Sequence, residues 1–127
     1  MDWVSHTVSA FGESVGIPQL ELDDGGYVLF TVENGGTLCV HDLQPSGGDD
    51  VLIMLTAPLP MPAGACVRKA LAMADFRANP TWQMQAATRG GELVLTLRMP
   101  RHAFMLSVLE DGVEALFDFH TRVAQVN

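Results

Sequence analysis

The chain has 127 residues, one domain's worth, and 48% of them are apolar, so it can close its own core without a metal or a disulfide staple. Fifteen Asp and Glu against seven Lys and Arg give a formal charge of −8, with Lys69 the single lysine. Nucleic acid and anionic membrane are therefore poor partners, and a basic or charge-mixed polypeptide is a good one.

The opening MDWVSHTVSAFGESVGIP places Val4, Val8, Phe11 and Val15 at steps of four, three and four, which predicts a helix over about residues 2 to 16. Gly16 is a natural cap, and Pro18 turns Ile17 out of the helical region. In QLELDDGGYVLFTVENGGTLCVHDL two alternating runs flank Asn34-Gly35-Gly36, the pattern of a β-hairpin. After the loop QPSGGDD, the run VLIMLTA is nearly continuous in apolar residues. It is expected to be a central strand covered on both faces.

Prolines 58, 60 and 62 make the following segment a stiff connector. Helix two is expected over about residues 63 to 75, with Val67, Leu71 and Ala74 on one face. TWQMQAATRGGELVLTLRM reads as a second hairpin turning at Gly90-Gly91, and Pro100 as the end of the sheet. Helix three is expected from about 103 to 125, with Leu106, Leu109, Val113, Leu116, Phe117 and His120 as its apolar stripe. Glu110, Glu114 and Asp118 form a like-charged stripe on it, which costs roughly a few tenths of a kcal/mol per pair. Gly112, mid-helix, costs about 1 kcal/mol against Ala, and a close helix approach would explain it. The order is helix-β-β-β-helix-β-β-helix. It implies an α+β fold, a twisted antiparallel sheet with helices packed on it, in a single domain spanning 1–127.

No constellation for catalysis emerges. None of His6, His41, His102 and His120 lies three or four residues from another, so there is no helical metal pair. Cys39 and His41 share a strand face, but two ligands do not make a site. Cys39 and Cys66 share no close spacing and read as reduced thiols of a reducing compartment. The glycine pairs sit in turns and not in phosphate loops. Asp23-Asp24 and Asp49-Asp50 read as solvated loop acids, and His120 as a satisfied packing residue. The expectation is a protein that is not an enzyme and that uses no cofactor and no metal. The N-terminus lacks a basic region followed by an apolar core, and VLIMLTAPLPMP is too short and too proline-broken to insert in a membrane.

Four local matches taken in order carry a resemblance over nearly the whole chain. They are FGESVGIP followed by LELDDGGYVLFTVENGG, the apolar strand running into APLPMP, the strand LVLTLRMP, and the amphipathic C-terminal helix from near Phe104. Together they resemble the class I chaperones of bacterial type III secretion, and the opening MDWV…F…GIP looks most like the SycN-type subgroup. The resemblance implies a dimer, homotypic or with a second small chaperone, in the bacterial cytoplasm. It also implies ATP-independent binding of the extended N-terminal segment of a secreted effector or gatekeeper protein.

On this reading Trp3, Val4, Leu22, Val28 and Phe30 are the candidate client surface. Trp3 has a competing reading as a core cap, and which hairpin face is exposed stays open because a one-residue shift inverts the set. Val67, Leu71, Met73, Phe76, Trp82 and Met84 are too many large apolar groups for one inner face, and they are the candidate dimer surface. A small apolar-ligand carrier and a protein-sequestering regulator are the alternatives.

Overall fold

The structure is a computed structural model and describes residues 3–32, 36–74 and 84–125. Helix α1 spans Trp3–Ser14. Strands β1 (Tyr27–Thr31), β2 (Thr37–Asp42) and β3 (Asp50–Pro58) follow, then helix α2 (Ala63–Met73), strands β4 (Met84–Arg89) and β5 (Glu92–Pro100), and helix α3 (Leu106–Ala124). The sheet is antiparallel with strand order β1-β2-β3-β5-β4. The α+β expectation and its element order hold.

Helix α1 stops two residues before the expected end, and the cause is local. The Ile17 N–H donates to the Gly12 carbonyl at 2.7 Å and the Gly16 N–H to that of Glu13 at 3.3 Å, with Gly16 at φ 82°. These are the two bonds of a Schellman cap, which needs a left-handed residue where glycine stands. Helix α3 begins three residues later than expected, because Arg101–Ala103 form a separate 3₁₀ turn. Pro100 ends the sheet as expected: it is the last paired residue of β5, opposite Asp50.

β3 is central, as its apolar run implied, but it is not covered on both faces. Val51, Ile53, Leu55 and Ala57 are buried while Leu52, Met54 and Thr56 are only half-buried. One core joins Val51, Ile53 and Leu55 to Leu38 and Val40 of β2, to Leu93, Leu95, Leu97 and Met99 of β5, and to buried residues of all three helices. The helices therefore lie on one face of the sheet. Each large side chain so buried contributes roughly 1.5–3 kcal/mol. The opposite face carries Leu29, Cys39, Met54, Thr96 and Gln85 in register across all five strands. Beside that row the Tyr27 and His41 rings stack at 3.6 Å between centroids.

Candidate functional site: an apolar cleft beside the edge strand

The hairpin alternation resolves as Val28 and Phe30 facing inward, packed against the core, and Tyr27, Leu29 and Thr31 facing out. β1 is an edge strand, so its outer backbone groups have no strand partner among the described residues. Where β1 runs toward Val32, a cleft of about 470 Å³ opens between α1, β1 and α3. Phe11, Val15 and Ile17 form one wall, Phe30 and Val32 the strand side, and Val113 and Phe117 the wall from α3. The Phe11 and Phe30 rings meet at its floor, 6.2 Å apart and tilted by 46°. An unpaired strand edge next to an apolar cleft can hold an extended peptide by backbone bonds while taking in an apolar side chain.

Of the five candidate client residues the cleft uses Phe30 alone. Val4 is fully buried in the core together with Val8 of the same helix, so it presents no surface to a partner in this fold. Leu22 and Val28 are half-buried and packed against the core away from the cleft lining. Trp3 is neither a core cap nor a free anchor. It stays 49% exposed, yet its indole N–H donates to the Arg101 carbonyl at 2.9 Å and the Arg101 guanidinium lies 4.7 Å from its ring centroid. Arg101 in turn is paired with the buried Asp42 carboxylate at 2.8 Å. Besides Phe11 and Val32, the lining residues missed include Val15, Ile17, Val113 and Phe117. Val15 and Ile17 straddle the Gly16 cap, where the chain leaves the helix and can no longer bury both, and that was the available signal.

The candidate dimer residues fall into three groups. Val67 and Leu71 line a shallower cleft of about 220 Å³ between α2 and β4, and Leu71 is 58% exposed. Met73 is half-buried against the core, and Met84 is buried within it. Phe76 and Trp82, and the Asn34-Gly35 turn of the first hairpin, lie outside the described residues.

Cys39 and His41 do share the helix-free face. Among the described residues no three His, Cys, Asp or Glu side chains come together to hold a metal. Cys66 is fully buried. Asp23 does more than sit in solvent, since its Oδ1 accepts the N–H groups of Gly25 and Tyr27 and shapes the turn into β1. His120 is not satisfied as expected: its Nε2 is buried with no hydrogen-bond partner among the described residues. No described helix is long and apolar enough to cross a membrane.

No family model matches the chain, and no curated protein matches it in sequence. Solved structures do. A chain of the HopA1–SchA chaperone–effector complex is 16% identical with a TM-score of 0.69, over 98% of this chain and 94% of that one. The structure of the Yersinia pestis type III secretion chaperone SycH with a stable fragment of YscM2 gives 12% identity and a TM-score of 0.74, over 94% and 98%. The ExsC–ExsE complex gives 13% and 0.74, over 97% and 92%. At these identities the likeness is one of fold.

Proposed function

We propose, from a chain with the fold of the class I type III secretion chaperones, that it binds a segment of a secreted effector or gatekeeper protein and keeps it soluble in the bacterial cytoplasm. The observation that carries this reading is the apolar cleft opening beside the unpaired edge of β1. The client's N-terminal segment adds to that edge in extended form and seats an apolar side chain against Phe30, Val15 and Phe117. Binding proceeds without ATP, because buried apolar area and backbone pairing supply the free energy. Val67 and Leu71 contribute to a dimer contact, with an identical chain or a second small chaperone.

Isothermal titration with the N-terminal hundred or so residues of secreted proteins of the same bacterium tests the proposal. Saturable binding without nucleotide is expected, with a negative heat-capacity change as apolar surface is buried. Val15→Asp should abolish it, and Val15 is exposed enough for the fold to survive. Affinity unchanged in that variant would remove the cleft from the site.

The cleft volume also lies within the range of small-molecule sites, which favours a lipid or other apolar-ligand carrier as the second reading. Displacement of a fluorescent fatty acid by a client segment, or its failure to bind at all, separates the two.

A further inference from the structure

The acidic charge of this chain is unevenly placed, and the unevenness bears on what the cleft takes. Arg68 and Lys69 lie on α2, Arg89 on β4 and Arg98 on β5, where Glu92 is the one acid of these elements. Helix α3 carries Glu110, Asp111, Glu114 and Asp118. At 3.6 residues per turn, Glu114 stands one turn before Phe117 and Glu110 two turns before it, so both flank the α3 wall of the cleft on its outer side. Both are exposed. Four of the six described Lys and Arg are engaged elsewhere: Arg122 pairs with Asp118 at 3.0 Å, Arg98 with Asp50, Arg101 with Asp42, and Lys69 Nζ donates to the Gln125 carbonyl, while Arg68 and Arg89 stand on α2 and β4. Among the described residues neither Glu110 nor Glu114 has a cationic partner. Like charges one turn apart destabilise the free helix, and nothing within the described chain offsets this.

We infer that the client segment carries Lys or Arg beside its apolar anchors, and that Glu110 and Glu114 receive those cations as the anchor enters against Phe117. The inference rests on the chaperone reading above and deepens it. It turns a plain apolar cleft into one that selects an apolar–basic alternation, since an acidic segment would add to the stripe's own repulsion. The elements α2, β4 and β5, which carry Arg68, Arg89 and Arg98 against Glu92, do not offer this choice.

The probes are three short synthetic peptides with Leu and Phe at alternate positions, separated by Lys, by Ser or by Glu, followed by fluorescence anisotropy against the full chain. At low salt the Lys peptide should bind about fivefold more tightly than the Ser peptide, the size that two exposed ion pairs confer, and the Glu peptide more weakly than either. The preference should vanish at high salt and in Glu110→Gln/Glu114→Gln. That double variant should fold at least as stably as the parent, since it removes a repulsion. Equal affinity for the three peptides, or a preference that survives the double variant, overturns the inference and leaves the cleft as a charge-blind site. Failure of all three to bind, or binding unchanged in Val15→Asp, removes the cleft from the site and this inference with it.

Discussion

Trp3 and Arg101 hold each other by two contacts, an indole N–H to the Arg101 carbonyl at 2.9 Å and a guanidinium 4.7 Å from the ring centroid. They tie the start of α1 to the turn that leads into α3, ninety-eight residues along the chain. Trp3→Ala should lower stability by about 1–2 kcal/mol through loss of both contacts. Trp3→Phe, which keeps a ring and loses the donor, should cost less. Urea denaturation measures both. Client affinity lost in Trp3→Ala without any loss of stability would return Trp3 to the docking surface.

Beneath that contact lies a buried ion pair. The Asp42 and Arg101 side chains are 6% and 11% exposed, and Asp42 Oδ1 also accepts the Gln44 N–H at 3.1 Å. Removing one partner strands a charge, so Arg101→Met should cost about 3–5 kcal/mol. Replacing both, in Arg101→Met/Asp42→Leu, should recover part of that. Strictly additive losses in a double-mutant cycle would show that the two residues act independently.

Gly112 is where α3 comes down on the sheet. A Cβ there would clash with the Met99 methyl and lie 3.2 Å from Leu97 Cδ1, and both side chains are fully buried. Alanine's better helix propensity is worth about 1 kcal/mol, but in a packed core the clash outweighs it. Gly112→Ala should therefore destabilise by about 1–2 kcal/mol, and Met99→Ala should relieve it in the double variant. A rise in the melting temperature of Gly112→Ala alone would refute the close approach.

The Cys39 thiol is pushed above its ordinary value of 9.0, by burial first and by the Asp23 carboxylate second. Below pH 9 folded and unfolded chains both keep this proton, and it contributes no slope. Above pH 9 the unfolded chain releases it while the folded chain retains it, so stability falls with rising pH toward the folded value. Cys39→Ala should flatten that alkaline decline in a pH series of denaturation midpoints, and Asp23→Asn should soften it. An unchanged slope in Cys39→Ala would assign the decline to other groups.

Leu71, exposed on α2 beside the shallow cleft, is the residue whose change tests assembly most cleanly. Leu71→Glu should leave the melting of the isolated chain within about half a kcal/mol, as for a surface site, while weakening the proposed dimer in sedimentation. An undisturbed dimer would move the contact off α2.

The element order was legible because periodicity and turn chemistry agree along most of the chain. Gly16 before Pro18 ends α1, Gly90-Gly91 turns the second hairpin, and Gly112 marks the approach of α3. What misled was orientation in three dimensions. Val4 and Phe30 look alike as apolar residues in amphipathic elements, yet one is fully buried and the other lines a cleft. The continuous run in β3 reads as a strand buried twice, but its alternate residues only shield one another on an open face. The pinning of Trp3 depends on Arg101, a partner that no local pattern identifies.

The sheet order also constrains how the chain is made. β1, β2 and β3 are neighbours in sequence and can zip locally, as can β4 and β5. The seam between β3 and β5 joins Pro58 to Glu92 at one end and Asp50 to Pro100 at the other, so it closes only after α2 and both later strands exist. During synthesis from the N-terminus the central strand β3 therefore leaves the ribosome with one edge open, and it stays open until some forty further residues have been added. For the length of that delay the nascent chain carries an uncovered strand edge, the kind of edge that β1 keeps in the finished sheet.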